Sequence, residues 1–297
     1  MAELTAKTAT VLVSNDLTHD QRVKKVCQSL MDLGFNIVLV GRRTNASSPI
    51  DRPYPCRRFK LGFSGGAGFY AMLNSCLFFY LLFAKTDVIV ANDLDTLWPA
   101  YLVGKWRKKG VVYDSHEYFT EAAGLTGRSF QKKFWLRIER HIFPKLNRVI
   151  TVNESIAEIY RKLYGVNVRV IRNMPPRWVN RHQSTREELG LPVDQKLVLL
   201  QGAYIDHDRG CLEAIRAFAH IEGVQLLIVG AGQAIPKAKA LVHEMKLDSK
   251  VTFFDKMPFE RLRDYTANVD LGLSLDIPRH LNYKLSLPNK LFDYLQA

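Results

Sequence analysis

The segment Ser286-Leu-Pro-Asn-Lys-Leu-Phe-Asp-Tyr-Leu-Gln-Ala297 reads as a helix whose start is built to hold an anion. Pro288 suits the first turn, where its missing N–H would have no partner in any case. Leu291, Tyr294 and Leu295 follow at helical spacing. Asn289, Lys290 and Asp293 lie near the helix start, where free N–H groups and the helix dipole favour a phosphate. A carboxylate one turn in can hold the hydroxyls of a ribose. The spacing describes a phosphate-plus-ribose site on one helix N-terminus, and it equally describes a capped surface helix.

Working back from that helix, strand and helix alternate. The patterning predicts strands at Lys196–Leu200, Val224–Val229, Lys250–Phe254 and Asp270–Leu275. Helices are expected at Cys211–His220, Pro236–Leu247 and Glu260–Thr266, and a loop at Pro278–Lys284. Gly202, after the first of these strands, lets the backbone approach a ligand. Arg209, at the next helix start, suits a diphosphate, because a guanidinium matches phosphate oxygens in pairs. A solvated cation is the alternative. Gly230-Ala-Gly232 is a lone GxG and not a dinucleotide fingerprint, because position 235 is Ile.

The first part opens as strand (Thr8–Ser14), helix (Gln21–Leu33, ended by Gly34) and strand (Asn36–Val40). Such a βαβ unit implies a parallel sheet covered on both faces. Ligands of open parallel sheets bind at the carboxyl edge of the strands. Asp16, Asp20 and Arg22 fall there, although Asp20 can simply cap the helix. A strand at Asp87–Ala91 is followed by Asp93-x-Asp95, a weak metal-binding pattern; Asp95 is read as the cap of a helix Thr96–Trp106. Val111-Val-Tyr-Asp-Ser-His-Glu117 runs from a strand into Asp114, His116 and Glu117. It is no zinc HExxH, because position 120 is Thr. The cluster suits proton handling or contacts to sugar hydroxyls. Strands at Arg148–Val152 and Val168–Arg172, with helix Glu154–Leu163 between them, close the sheet.

No residue between Lys60 and Lys85 is charged. Phe69–Ala84 reads as a buried helix of the first domain, with an interfacial membrane segment the alternative. Ser129–Leu146 reads as an amphipathic helix with aromatic and basic residues, suited to a core or to an anionic bilayer. Asn173-Met-Pro-Pro-Arg177 marks a domain boundary, and a short helix is expected from Ser184.

The 297 residues, 47% hydrophobic and 24% charged, fit a globular protein with room for two cores. Residues 1–180 hold 27 Lys and Arg against 14 Asp and Glu, whereas residues 181–297 hold 15 of each. The whole excess of +13 therefore lies in the first part, which points to an anionic partner for it. Four scattered cysteines form no CxxC, which argues against a disulfide framework or zinc site and suits a reducing compartment. The first residues show no secretory leader.

Five segments, in order along the chain, resemble family 4 glycosyltransferases: Asn15–Val23, Asp114–Glu117, Gly202–Gly210, Gly230–Gly232 and Ser286–Ala297. The resemblance implies an α/β fold of two Rossmann-like parallel-sheet domains facing a cleft, the type called GT-B. It implies an acceptor-side domain at 1–174, a linker at 175–195 and a nucleotide-sugar-binding domain at 196–297. It further implies transfer of a sugar from a nucleotide-sugar to a sugar or lipid-linked acceptor, in cell-surface polysaccharide or glycolipid assembly. Retention at the anomeric carbon, with neither metal nor cofactor, is part of the same expectation. On this reading His116, Asp16 and Glu117 lie near the reacting sugar, with Asp20, Arg22 and Asp114 on the acceptor side. Gly202, Arg209, Gly210, Gly230, Gly232, Asn289, Lys290 and Asp293 take the donor, and Met257 adjoins its base.

Two departures stand out. Asp293 replaces the family's usual Glu, and the sequence stops before the Gly-Pro that usually follows, so the second domain is expected to be incomplete. The expected location is cytoplasmic, peripheral on the inner face of an anionic membrane. A nucleotide-sugar-binding regulatory subunit without transferase activity is the alternative function. A nucleic-acid-binding protein would use the basic half, but no such motif is present and no nucleic-acid partner is expected.

Overall fold

The computed structural model describes residues 6–18, 20–45, 47–125, 127–175, 177–178 and 184–297. Residues 1–5, on which the leaderless reading rests, and residues 176 and 179–183 of the expected linker lie outside the described residues. The chain divides into two compact units, Met1–Arg172 and Asn173–Ala297.

The first unit runs β1 (Thr8–Asp16), α1 (Gln21–Asp32), β2 (Asn36–Arg43), β3 (Cys56–Lys60), α2 (Gly66–Phe83) and β4 (Val88–Asn92). It continues with α3 (Leu94–Trp106), β5 (Gly110–Ser115), α4 (Ser129–Ile142), β6 (Val149–Thr151), α5 (Glu154–Tyr164) and β7 (Val168–Val170). All seven strands are parallel, in the order β3-β2-β1-β4-β5-β6-β7. Ala9, Val11 and Val13 pack on Val23 and Cys27 of α1. Thr10 and Leu12, pointing the other way, are buried too, as a sheet covered on both faces requires. Right-handed crossovers put α1 on one face. Because α2 carries the chain back past β1 to β4, they put α2, α3, α4 and α5 on the other.

Two expectations change here. β3 is a strand that sequence patterning passes over, because Cys56-Arg-Arg-Phe-Lys60 carries three cations; as the edge strand it buries none of its residues fully. α2 is not a buried helix. Only Phe69, Leu73, Leu77 and Leu81, one stripe at every fourth residue, are buried. Met72, Phe79 and Phe83 on the far side are exposed.

The second unit runs β8 (Lys196–Gly202), α6 (Cys211–Phe218), β9 (Val224–Gly230), α7 (Ala234–Glu244), β10 (Val251–Phe254), α8 (Phe259–Ala267), β11 (Leu271–Gly272), α9 (Leu281–Leu285) and α10 (Asn289–Gln296). Its four strands are parallel, in the order β10-β9-β8-β11. Val198, Leu200, Leu226 and Ile228 face α6 and α7, while Leu197, Leu199, Leu227 and Val229 face Tyr265 of α8 and Tyr294 of α10. Each of these fully buried side chains contributes about 2 kcal/mol.

α9 forms inside the expected loop, β11 is far shorter than expected, and residues 186–190 form turns rather than a helix. In α10, Tyr294 packs inward and shares its one hydroxyl proton between Leu199 O (3.2 Å) and Leu273 O (3.1 Å). Its ring lies where a side chain at Gly272 would be. Leu291 and Leu295, which follow at the same helical spacing, are exposed.

Candidate active site

Both sheets reverse strand order at one place, and ligands of such sheets bind beyond the carboxyl ends of the strands there. In the first unit the reversal falls between β1 and β4. Asp114 ends inside β5, while Asp93 and His116 lie just past β4 and β5.

Arg22, one residue into α1, forms a buried ion pair with Asp114; its Nη2 and Nε reach the two carboxylate oxygens. His116 Nδ1 lies 3.3 Å from Asp93 Oδ2. Its Nε2 lies 3.5 Å from Asp114 Oδ2 and 3.1 Å from Asn92 Oδ1. The His116 N–H also donates to Asp93 Oδ1 at 2.8 Å. Asp93 thus grips His116 twice, from a backbone at φ 61°, ψ 167°. For a residue with a side chain that conformation costs about 1–3 kcal/mol, and such outliers cluster at functional sites. Asp93 caps the backbone of α3 without a side-chain cap bond, because its carboxylate is turned to His116. Asp95, expected as the cap, is instead buried in the first turn.

The remaining first-unit candidates divide. Asp20 accepts from Val23 N at 3.0 Å as the cap of α1. Asp16 accepts from Thr18 N (3.0 Å) and from the hydroxyls of Thr18 and Ser47. Burial pushes its carboxyl up, but these donors outweigh burial and hold it down at about 2. Among the described residues no hydrogen bond or ion pair joins Asp16 to His116. Glu117 is half-buried, and its carbonyl accepts from Ser115 Oγ at 2.7 Å.

The electrostatics predict a pH dependence. Burial pulls the His116 imidazole down, but Asp93 and Asp114 outweigh it and raise the group from 6.5 to about 9. The folded chain therefore holds this proton more tightly than the unfolded chain. The resulting stability is complete below pH 6.5 and lost as pH rises through about 9. Thermal melts should show a loss over that window of up to about 3 kcal/mol, and His116→Gln should flatten it. An unchanged slope in the variant would exclude the imidazolium.

In the second unit the reversal falls between β8 and β11. Arg209 Nη1 meets Asp276 Oδ1 at 2.9 Å, and Lys290 Nζ lies 3.5 Å from the same oxygen. Arg209 stacks over Tyr283 at 4.7 Å, and Tyr283 OH donates to Asp206 Oδ2 at 2.6 Å. Burial lowers the Lys290 ammonium despite the carboxylate beside it. Burial acts the same way on Arg209, but there Asp276 outweighs it. Arg209 Nε and Asp276 Oδ2 are buried without a hydrogen-bond partner among the described residues. Burial without partners is costly, and a bound anion carrying its own polar groups would relieve it.

Gly202, Gly230 and Gly232 bring two strand ends together. A Cβ at Gly230 would stand 2.0 Å from Gly202 O, and one at Gly232 2.2 Å from Ile205 O. Gly210 caps α6 at φ 70° against Leu275. Asn289 is exposed at the first turn of α10. Asp293 is buried and accepts from Gln201 Nε2 at 3.2 Å. Met257 packs against the core containing Tyr265.

Sequence reasoning brought Arg209 and Lys290 to one place and missed what holds them. Asp276, Asp206 and Tyr283 carry no motif. Asp93 was visible only as half of a weak metal pattern.

A family model described as Glycosyltransferase Family 4 matches residues 21–174. No curated protein matches by sequence. Among solved structures, a sucrose-phosphate synthase from Thermosynechococcus elongatus is 18% identical and superposes with a TM-score of 0.70, over 90% of this chain and 75% of its own. HepE from Anabaena in complex with UDP is 15% identical, with a TM-score of 0.69, over 97% and 78%. A UDP-N-acetylglucosamine 2-epimerase from Rickettsia bellii is 12% identical, with a TM-score of 0.58, over 90% and 73%. The fold is thus shared with a protein named for a different reaction, and fold alone does not choose between them.

Proposed function

The chain belongs to glycosyltransferase family 4, and from that premise we propose that it moves a sugar from a nucleotide-sugar to a hydroxyl acceptor with retention at the anomeric carbon. The observation that carries the donor half is the meeting of Arg209 and Lys290 on one oxygen of Asp276, whose side chain is largely buried. On this reading a diphosphate exchanges with Asp276 for the two cations and satisfies Arg209 Nε. HepE was crystallised with UDP and with UDP-glucose, which supports a uridine nucleotide as the first to try.

In the reaction, the bond from the anomeric carbon to the phosphate oxygen breaks and a bond to the acceptor oxygen forms. The acceptor's proton leaves with the nucleoside diphosphate. Arg209, Lys290 and helix-end N–H groups meet the charge growing on the leaving phosphate, usually a large catalytic contribution. The proposed chemistry therefore needs no metal and no cofactor. Asp293 takes the ribose once released by Gln201. The first unit carries the acceptor, a sugar or lipid-linked glycan of the cell surface. There His116, held as an imidazolium by Asp93 and Asp114, gives up its longer Nε2 contact to donate to a sugar hydroxyl.

Thermal-shift screening with uridine, guanosine and adenosine diphosphate-sugars tests the donor reading. A true donor at 100 times its Kd stabilises by about 2.7 kcal/mol, a rise of roughly 5 °C. If none of the three classes raises the melting temperature, the donor site is wrong.

A further inference from the structure

The three helices α2, α3 and α4 lie side by side on one face of the first sheet, and their outward surfaces are unusual together. α2 and α3 run in the same direction and are tied at two points, the middle of α2 to the start of α3 and the two C-terminal ends to each other. Asn74 Nδ2 donates to Asp95 O at 3.0 Å, and Arg107 Nη1 donates to Leu81 O and Ala84 O at 2.6 Å each. α4 joins through Tyr70 against Trp135 (5.0 Å) and Trp98 against Phe134 (6.2 Å).

Away from the sheet, α2 exposes Phe79 (60%) and Phe83 (84%). α3 exposes Trp98, Leu102 and Trp106 one turn apart, the last at 70%. α4 exposes Phe130 (79%) and Phe134, with Lys133 and Arg137 between and after them. Large apolar side chains gathered in this way mark an interaction surface.

Charge decides the partner. The stretch Lys85–Arg148 holds twelve Lys and Arg, and of its seven Asp and Glu only Asp87 is exposed. Lys105, Lys133 and Arg137 make no ion pair among the described residues. Aromatic residues with an apolar body and a polar edge, Trp above all, set among unpaired cations suit the boundary between lipid headgroups and acyl chains. A second copy suits the surface poorly, because two-fold pairing would set cations against cations. α2 is long and apolar enough to cross a bilayer. Its stripe Phe69, Leu73, Leu77 and Leu81 is packed within its own unit, so the helix lies along the membrane rather than through it.

We propose that the outward faces of α2, α3 and α4 dock the protein on an anionic lipid bilayer, with Phe79, Phe83, Trp106 and Phe130 entering the interface and Lys105, Lys133 and Arg137 meeting lipid phosphates. The inner leaflet of a cell membrane carries such a charge, and an acceptor anchored there would be lipid-linked. The proposal does not depend on the donor reading, and the thermal-shift screen tests that reading separately.

Vesicle flotation tests it, with phosphatidylcholine alone and mixed with phosphatidylglycerol. The full chain should float with the anionic vesicles and be released by high salt. Lys133→Gln with Arg137→Gln should weaken that binding about 30-fold. Phe79→Ser with Phe83→Ser should weaken it at least about tenfold, with the circular-dichroism spectrum retained. In the unmutated protein, brominated lipid should quench tryptophan fluorescence, and less so in Trp106→Phe. Equal binding to neutral vesicles, absence of quenching, or variants that float like the parent would overturn the proposal. So would a dimer that forms without lipid and is lost in the phenylalanine variant.

Discussion

Replacing Arg209 or Lys290 with alanine is expected to lower sugar-transfer turnover by about 100-fold or more in each case. The reason lies in where the two cations stand. Both approach Asp276 Oδ1, at 2.9 and 3.5 Å, and the Lys290 side chain is only 10% exposed. Charges so placed are weakly screened and fixed before the substrate arrives, so they act fully on charge that develops only at the transition state. The two act on the same leaving group, so the double variant should lose less than the product of the single losses. Release of nucleoside diphosphate from the donor found by thermal shift is the measurement. A melt of each variant separates lost chemistry from lost folding. Near-normal turnover in both single variants would remove the donor site.

The second large effect is expected at Arg22. It is 8% exposed, Asp114 is 3% exposed, and the pair joins the start of α1 to the end of β5. Arg22→Met leaves a buried carboxylate without its main counter-ion, and breaking such a pair typically costs about 3–5 kcal/mol. His116 lies 3.5 Å from Asp114 and recovers part of this loss, which places the expectation at about 3 kcal/mol in denaturant unfolding. Arg22→Met with Asp114→Leu should recover much of the stability while leaving His116 without one of its two anions. A single variant as stable as the parent would show that the pair contributes nothing to the fold.

Arg22 illustrates how the sequence divides into legible and illegible parts. Its place at the carboxyl edge of the sheet follows from the strand-helix spacing of residues 8–33. Its partner does not, because Asp114 lies 92 residues away. The same holds for Arg209 and Asp276, separated by 67 residues. Asp93 shows a subtler case. Its residue type is visible in the Asp93-x-Asp95 pattern, but its positive φ and its double grip on His116 come from the way β4 turns into α3 beside β5.

By itself the sequence determined the alternation of strand and helix and two parallel-sheet units, because side-chain periodicity and cap residues act over a few neighbours; the family followed from the resemblance of five segments. It also placed the charge excess in the first unit and the motifs at strand ends. Tertiary structure decided which carboxylate holds each cation, which glycines are demanded by a facing backbone, and that α2 buries a single stripe and leaves its other side bare. Those outcomes depend on strand order and on crossovers between distant segments. Pairing across such distances leaves no periodic trace along the chain.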